Sequence, residues 1–409
     1  MSITKLSEKK IENFQLFKWG LILLFFLPPI GIGLLFIAGW IHLFKVIRGR
    51  AAFHATAGTF FFVSIFVASI GATLAFHQLK YLGAPLMTAA YLGLYLYARE
   101  NCKLTSLAQY KKLLIIGSCY LVVMGQFQIL GIALPGQDSV FGFLTGYELL
   151  GYFKDGRLFG SAYNPNFAAF LLLLTSAVVL SGLLKRPESD GRRRTILHIT
   201  VMLLLAAALF ETGSRTGLAG LMVLLVIFCF RIRRKYGLVS LGAFAVFGYQ
   251  LMSILPRTHD MGESVQTRKF IWEASVNIWR QHPLFGVTPI GFKDAYAGIA
   301  GDGITHAHNV LLGFFSEYGT LGGLSFLVLL VSCGYRMIRL YTAVKNRKQV
   351  FDLFLLALPV FLITGIFDHP LVSPQAALPA IILLGSWDAY SERVKFLARA
   401  AVPVKQISA

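Results

Sequence analysis

The stretch KWGLILLFFLPPIGIGLLFIAGWIHLF, residues 18–44, decides how this chain folds. A helix needs about 20 apolar residues to cross a hydrocarbon core about 30 Å thick, so this stretch is long for one crossing. Pro28 and Pro29 stand at its centre. Proline inside a helix removes a backbone hydrogen bond and breaks the helix. The sequence therefore predicts two helices, 11–27 and 29–46.

The distribution of basic residues supports this hairpin. The N-terminal tail and the segment KVIRGR (45–50) are both basic. Cytoplasmic loops of membrane proteins carry an excess of Lys and Arg. A single crossing would put the two basic segments on opposite sides of the membrane, whereas two crossings put both in the cytoplasm.

The composition is that of an integral membrane protein. Of the 409 residues, 56% are hydrophobic and only 14% are charged, and the mean hydropathy is +0.66. In lipid, a helix satisfies its own backbone hydrogen bonds, so each apolar segment is interpreted as a helix. Ten further segments qualify: 51–76, 79–98, 112–134, 164–184, 196–213, 216–230, 237–255, 310–335, 353–368 and 371–388. We therefore predict an all-α polytopic membrane protein with about twelve spans, both termini in the cytoplasm, and a single membrane domain over 1–409.

The net charge of +19 follows from this topology. Most of the 38 Lys and Arg fall in the tails and loops that are predicted to face the cytoplasm. No soluble basic domain is predicted that could display the charge to a nucleic acid, so a nucleic-acid partner is not expected. The four cysteines form no CxxC pair, which argues against a disulfide framework or a zinc site.

Two outward segments, 135–163 and 256–309, are too long to be simple connections. Loops longer than about 15 residues usually carry a function. Within the second segment, residues 265–281 are predicted to form an amphipathic helix at the membrane surface, which Pro283 ends. The apolar residues at helical spacing are Val265, Ile271, Trp272, Val276 and Trp279.

Basic side chains near this surface are candidates for binding phosphate. Arg268 precedes Trp272 by four residues, so both lie on one face of the predicted helix beside the lipid headgroups, and Lys269 follows. The alternative is that Arg268 and Lys269 bind ordinary anionic headgroups or are solvated. Arg215 and Glu211 lie at the outer mouth of a tight hairpin, where charges are costly unless they are paired or face water. A structural Glu211–Arg215 ion pair at helical spacing is the alternative there.

The segment THAHNVLLGFFSEYGTLGG, residues 305–323, places imidazoles at the end of the second outward loop. A histidine with an ordinary pKa near 6.5 is partly neutral at working pH and can take a proton from an attacking hydroxyl. His306 and His308 are therefore candidate bases, although a satisfied polar role is the alternative. Their spacing shows no further metal ligands, so no metal is predicted. Three glycines are expected to let neighbouring helices approach closely: Gly319, Gly322 and Gly323.

These residues carry a resemblance to a known family. His308-Asn309, nine residues, Gly319, two residues and Gly322 resemble the H-N-x9-G-x-x-G signature of O-antigen ligases and of the related Wzy-type polysaccharide polymerases. Further similar motifs occur in the family's order: NPNFAA (164–169), SRTGLAG (214–220), RKFIWEASVNIWRQHPLFGVTPIGF (268–292) and DHPLVSP (368–374). The resemblance covers about residues 135–390.

The resemblance implies a membrane glycosyltransferase at the outer face of the cytoplasmic membrane. Its donor would be a glycan on undecaprenyl diphosphate, and its acceptor a glycan, lipid or protein hydroxyl in the synthesis of O-antigen, capsule, exopolysaccharide or a teichuronic-acid-like polymer. His308 would be the catalytic base, and Arg215 and Arg268 would bind the diphosphate. No cofactor or metal is expected, and the anomeric carbon would invert. Supporting roles are expected for His306, Asn309, Glu317, Glu211, Asp368 and Lys269.

A secondary transporter or a lipid-linked oligosaccharide flippase is the competing interpretation. Such proteins place ionisable residues and broken helices at mid-membrane. Here the predicted spans after residue 50 carry little central charge, and the polar residues gather at the outer mouth. The pattern therefore favours a transferase, and it does not distinguish a ligase from a polymerase.

Overall fold

A computed structural model of the chain describes residues 3–132, 140–146, 156–184, 191–253, 261–301, 303–343 and 349–400. Within these ranges the backbone forms helices and no β-strand, which confirms the all-α prediction. Much of the predicted outward loop 135–163 and the start of 256–309 lie outside the described residues. The helices are α1 (Ile3–Phe26), α2 (Pro28–Ile47), α3 (Ala57–Phe76), α4 (Gly83–Glu100), α5 (Leu104–Ile129), α6 (Val140–Thr145), α7 (Pro165–Leu183), α8 (Gly191–Glu211), α9 (Arg215–Ile232), α10 (Arg234–Ser253), α11 (Met261–Gln281), α12 (Thr288–Ala300), α13 (Val310–Ala343), α14 (Gln349–Gly365) and α15 (Pro374–Ala400).

Each of the twelve predicted spans coincides with a helix, with boundaries that differ by several residues. Among the described residues, seven helices are long and apolar enough to cross a membrane by length and composition. These are α2, α3, α5, α7, α8, α9 and α13. The protein is thus a polytopic membrane protein, and the number twelve stays a prediction.

The predicted break at the two prolines is confirmed. α1 ends at Phe26, and α2 begins with Pro28 and Pro29 in its first turn. Pro28 has no amide hydrogen to donate to the carbonyl of Leu24, four residues earlier. The side chain of Gln375, at the start of α15, donates to that carbonyl instead, at 2.9 Å. The helix break is therefore compensated from the other end of the chain.

Two helices form the centre of the bundle. Every residue of α4 from Thr88 to Arg99 is buried, and so is every residue of α7 from Ala168 to Ser181. A helix that is apolar on all sides lies either among other helices or in lipid, and the burial of these two helices shows that other helices surround them. The helices at the periphery instead expose large apolar side chains, such as Leu203 on α8 and Val331 on α13. This pattern suits a bundle that contacts lipid.

A buried network of charges ties three helices together far from the outer loops. Arg99 of α4 donates to Asp388 of α15 at 2.8 Å, and Arg336 of α13 donates to the same carboxylate. A second ion pair joins Arg231 of α9 to Asp352 of α14 at 2.5 Å. Buried ion pairs are costly to break, because a single remaining charge would be left without a partner. These contacts fix how the long helices pack beneath the site.

The predicted outward segment 256–309 has its own small core. A helix is present where the amphipathic helix 265–281 was predicted, and its place at a membrane surface stays a prediction. The buried face of α11 is formed by Ile271, Ala274 and Ile278, whereas Val265 is exposed. Beyond the prediction, a second helix, α12, follows it. A cluster separate from the main core joins the two helices to the segment before α13: Ile271, Ala274, Ile278, Val287, Phe292, Tyr296 and Ala307.

α13 is broken at Gly319, where φ is +64° and ψ is −165°. The backbone groups freed by the break bond to the loop that follows α11. The amide of Thr320 donates to the carbonyl of Pro283 at 2.7 Å, and the amide of Val287 donates to the carbonyl of Ser316 at 3.0 Å. A Cβ on Gly319 would lie 2.3 Å from the Leu284 carbonyl.

These glycines were predicted to make room for neighbouring helices, and that partner is wrong. Gly319 gives room to the turn at Leu284 and Phe285, which follows α11, and not to a neighbouring helix. The Cβ positions of Gly322 and Gly323 face side chains of α13 itself, Tyr318 and Phe315. The physical reason is the break at Gly319, whose freed backbone groups bond to the turn after α11.

Candidate active site

Two histidines from one loop meet one aspartate from another. Nε2 of His306 and Nδ1 of His308 each lie 3.0 Å from Oδ1 of Asp368. The two imidazole rings are 4.2 Å apart between centroids. Because a carboxylate can only accept, each of these ring nitrogens carries the donated hydrogen. The structure thus brings together three residues that were expected to act at the site, although Asp368 is 60 positions from His308 in sequence.

Asn309 explains how His308 is held. Its side-chain oxygen accepts from the backbone amides of Leu311 and Leu312, which caps the N-terminus of α13. Its Nδ2 donates to the carbonyl of Ile366, in the loop that carries Asp368. One side chain therefore starts α13 and fixes the two loops against each other. Asn309 has a positioning role.

The backbone of His308 is in the left-handed region, with φ at +48°. A side chain there is strained, and such strain persists when the surrounding contacts determine it. One of these contacts comes from α11, where Nε1 of Trp272 donates to the carbonyl of His308 at 3.3 Å. The ring of Trp272 also stacks on Phe367 at 6.0 Å. The amphipathic helix thus braces both loops of the cluster.

The cluster differs in exposure from one residue to the next. The side chains of His306 and Asp368 are 7% and 4% exposed, whereas that of His308 is 25% exposed. Since Nδ1 of His308 donates to Asp368, its Nε2 carries the lone pair. His308 is thus the member of the cluster that combines access with a nitrogen able to accept a proton.

The protonation states of the two buried members are set by their surroundings. Burial lowers the pKa of His306 below 6.5, although the hydrogen bond to Asp368 acts in the opposite direction. Burial by itself would raise the pKa of the Asp368 carboxyl, but hydrogen bonds from His306 and His308 outweigh it and hold that pKa well below 3.8. At neutral pH the cluster therefore contains a carboxylate and a neutral His306.

The same three residues have the spacing of a cation site. One potential ligand atom from each of His306, His308 and Asp368 lies within 4.8 Å of the others. Two imidazoles and a carboxylate suit a transition metal or zinc. The sequence showed no third ligand because Asp368 lies between the last two helices. The hydrogen bonds above already account for the geometry, and the expectation that no metal is required stays a prediction.

A second carboxylate and imidazole lie directly behind the cluster. Nε2 of His369 is 3.6 Å from Oε2 of Glu317, and both side chains are almost fully buried. The backbone amide of His369 also donates to Oδ1 of Asp368 at 2.8 Å. The ring of His369 packs where Gly313 leaves room for it. Glu317, which was expected to support the site, is therefore linked to Asp368 through contacts with His369.

An arginine that the sequence did not single out links the Arg215 turn to the cluster. Arg157 donates through Nε to the carbonyl of Thr212 at 2.6 Å and through Nη2 to Oδ1 of Asn166 at 3.0 Å. The next residue, Phe167, packs its ring 6.1 Å from the ring of His306. Arg215 itself is the first residue of α9, half-buried, after the Ser214 cap. These contacts place the Arg215 turn on the side of the bundle where His306 lies.

The alternative of a structural ion pair between Glu211 and Arg215 stays open, although the two residues do not have the spacing of one continuous helix. Glu211 is the last residue of α8, and Arg215 is the first residue of α9. Residues 212–214 form the turn between them, so the two side chains do not share one helix. The carboxylate of Glu211 accepts from Nε2 of Gln126 on α5.

Arg268 and Lys269 lie on α11, as predicted, but in different environments. Arg268 is half-buried and Lys269 is exposed. Arg268 lies four residues, about 6 Å of rise, before Trp272, which contacts His308. Of the two cations, Arg268 is therefore the one directed along the face that meets the cluster.

The residues that sequence reasoning missed are Arg157, Asn166, Phe167 and His369. Asn166 and Phe167 lie in NPNFAA and His369 in DHPLVSP, so the motifs were recognised while these side chains were not assigned a role. For Arg157 the sequence indicated only an outward position and no role at the site.

Comparison with known proteins finds a family that part of this chain resembles. Residues 200–327 match the family model described as O-antigen ligase. The match runs from α8 into α13 and includes Arg215, Arg268, His306 and His308. The resemblance drawn from the motifs is thereby confirmed over this part of the chain. No curated protein matches the chain.

Proposed function

We propose that this protein is a membrane glycosyltransferase of the O-antigen ligase and polymerase type. It moves a glycan from an undecaprenyl diphosphate donor to a hydroxyl of an acceptor during the synthesis of a surface polysaccharide. The observation that carries the proposal is the hydrogen bond from Nδ1 of His308 to Asp368, which leaves Nε2 of the more exposed of the two imidazoles to accept a proton. The match to the O-antigen ligase family supports the same reaction class.

His308 acts as the general base in this proposal. The acceptor oxygen attacks the anomeric carbon of the donor while its proton passes to Nε2 of His308. The imidazolium that forms donates to the carboxylate of Asp368, which compensates its new charge. His306 stays neutral and donates to the same carboxylate oxygen, Oδ1 of Asp368. Asp368 is thus a positioning residue that also stabilises the protonated base.

The bond that breaks joins the anomeric carbon to the diphosphate oxygen, and undecaprenyl diphosphate leaves with both bonding electrons. The departing negative charge needs preorganised donors. Arg215 and Arg268 are assigned to this role, because a guanidinium can give two parallel hydrogen bonds to a phosphate. Arg157, which lies beside the Arg215 turn, adds positive charge there. One displacement of this kind inverts the anomeric carbon.

The decisive experiment measures turnover of a lipid-linked glycan by the purified protein in liposomes. His308→Ala is expected to abolish transfer while the protein remains monodisperse. His282→Ala is the matched control, since His282 lies in the same outer segment and its ring packs on Phe76 away from the cluster. Transfer by the His308 variant at the rate of the unmodified protein would reject the base.

The predicted membrane orientation has a separate test. Lys293 is exposed on α12 beside the site, and Arg193 is exposed at the start of α8. Cysteines introduced at these two positions should differ in labelling by a membrane-impermeant reagent applied to whole cells. Reaction at 293 and protection at 193 are expected for an active site on the extracytoplasmic face, and the reverse pattern would reject that orientation.

A further inference from the structure

A second cavity, of about 270 Å³, opens at the end of the helix bundle opposite the candidate active site. It lies between α1, α4, α5 and α15. Its position follows from α15, which begins near the candidate active site at Pro374. Ser386, which lines the cavity, lies 12 residues farther along, or about 18 Å of helix. The charge pattern predicts that this end of the bundle faces the cytoplasm.

The cavity has two chemically different parts. Its deep wall is apolar and consists of well-covered side chains, among them Leu21, Tyr110 and Ile382. Its mouth is polar and exposed, and it includes Lys18, Lys103, Thr105 and Gln109. An apolar interior behind a polar mouth matches an amphiphile better than it matches a sugar or an inorganic ion.

Positive charge converges at this mouth from three sources. Lys18 contributes from α1 and Lys103 from the loop before α5. The third source is the N-terminus of α5, where the first backbone amides have no partner within the helix and carry partial positive charge. Lys103 is the residue that precedes this helix, and its side chain gives no cap.

A lysine at this position opposes the helix dipole, because cations are favoured at the other end of a helix. Helix starts usually carry Ser, Thr, Asp or Asn, whose oxygen accepts from the free amides. Here the sequence places a cation where an anion would be favourable, with another cation beside it. An anionic ligand would satisfy the amides and both lysines at once.

We propose that this cavity binds an anionic phospholipid of the cytoplasmic leaflet. The phosphate lies between Lys18, Lys103 and the first amides of α5, and one acyl chain lies along Leu21 and Ile382. Anionic lipids give the cytoplasmic leaflet a negative surface potential that attracts basic side chains. The bound lipid would join α1 to the start of α5 through its headgroup.

The test is native mass spectrometry of the delipidated full-length protein with added short-chain phosphatidylglycerol. The unmodified protein is expected to bind it, and Lys18→Gln with Lys103→Gln is expected to weaken binding by about tenfold. Arg50→Gln with Lys112→Gln is the matched control, since both positions are exposed on the same end of the bundle and lie outside the cavity lining. The control should bind like the unmodified protein.

Two comparisons identify the source of the phosphate. Phosphatidylcholine of the same chain length should bind more weakly, because its headgroup has no net charge. Glycerol phosphate should compete poorly, because it lacks the acyl chains that fill the apolar wall. Equal loss of binding in both double variants, equal binding of phosphatidylcholine, or full competition by glycerol phosphate would each overturn the proposal.

Discussion

The indole nitrogen of Trp272 lies 3.3 Å from the carbonyl oxygen of His308, and this contact joins the amphipathic helix α11 to the proposed catalytic base. Since His308 has a strained backbone, the orientation of its ring depends on such contacts. α11 therefore holds the residue on which the proposed chemistry depends.

Trp272→Phe should lower kcat, because the ring can still pack on Phe367 while the hydrogen bond to His308 is lost. A fall of about threefold to tenfold corresponds to one hydrogen bond. Trp279→Phe is the matched control, because Nε1 of Trp279 donates to Oγ1 of Thr320 and not to the cluster. Glycan transfer is measured for both. An equal fall in the two variants would mean that α11 docking in general, and not the His308 contact, sets the rate.

Asp368→Asn keeps the size of the side chain and removes its charge. The protonated form of His308 would lose the carboxylate that compensates it, so kcat should fall at least about a hundredfold. Asp294→Asn serves as the control, since Asp294 is exposed and pairs with Lys80 at 2.5 Å outside the cluster. A rate close to that of the unmodified protein in the Asp368 variant would remove the carboxylate from the mechanism.

The protein should lose stability as the pH falls below about 6.5, the ordinary value for histidine. Burial depresses the pKa of His306, so the unfolded chain binds a proton in this range that the folded protein resists. The contribution of His306 to the free energy of unfolding is complete above pH 6.5 and is lost as the pH falls toward the lowered pKa of this residue. Asp368 adds no pH dependence in this window, because the stability that its carboxylate contributes is lost only as the pH falls below 3.8.

Thermal unfolding in detergent between about pH 7.5 and about pH 5 measures this dependence. His306→Asn, which removes the titrating group, should flatten the curve relative to the unmodified protein. A His54→Asn variant controls for histidines in general, because His54 is exposed. If the His306 variant keeps the full slope, the acid sensitivity arises elsewhere.

Glu317→Gln should lower kcat by about tenfold or less without changing the KM for the donor, since the net contribution of one intramolecular polar contact is about 0.5–1.5 kcal/mol. The reason is positional: Glu317 holds His369, whose amide holds Asp368. Glu273→Gln, on the exposed face of α11, is the control. A change confined to KM would place Glu317 in substrate binding and contradict the positioning role.

Gly319→Ala should destabilise the protein by about 1–3 kcal/mol, because alanine is strained at a positive φ and its Cβ would meet the Leu284 carbonyl. Gly334→Ala, farther along α13, is the control, since a Cβ there meets no atom within 4 Å. Thermal unfolding in detergent compares the two. Similar midpoints in both variants would show that the break in α13 tolerates a side chain.

Hydropathy and proline placement predicted the helical segments well, because crossing a membrane requires long apolar runs whatever their partners. α4 shows the limit of this reasoning. It is one of the two most enclosed helices of the bundle, yet its tyrosines and small residues keep it outside the seven described helices that are long and apolar enough to cross a membrane. Burial by neighbouring helices, which no single segment reveals, explains this.

The sequence predicted those site residues that lie close together in the chain. His306, His308 and Asn309 are consecutive or nearly so, and the family signature marks them. The partnership with Asp368 depends on how the loop before α15 packs against the start of α13, which sequence spacing does not report. The break at Gly319 was missed for the same reason, since glycine in a membrane helix ordinarily indicates close helix packing.

The hydrogen bond from Gln375 to the carbonyl of Leu24 joins groups 351 positions apart. During synthesis the first helical pair enters the membrane long before α15 emerges from the ribosome, and until then the Leu24 carbonyl has lost its helical donor to Pro28. Until α15 is in place, that carbonyl therefore lacks the donor that the folded protein gives it. Insertion of α15 completes the hydrogen bonding of the first hairpin.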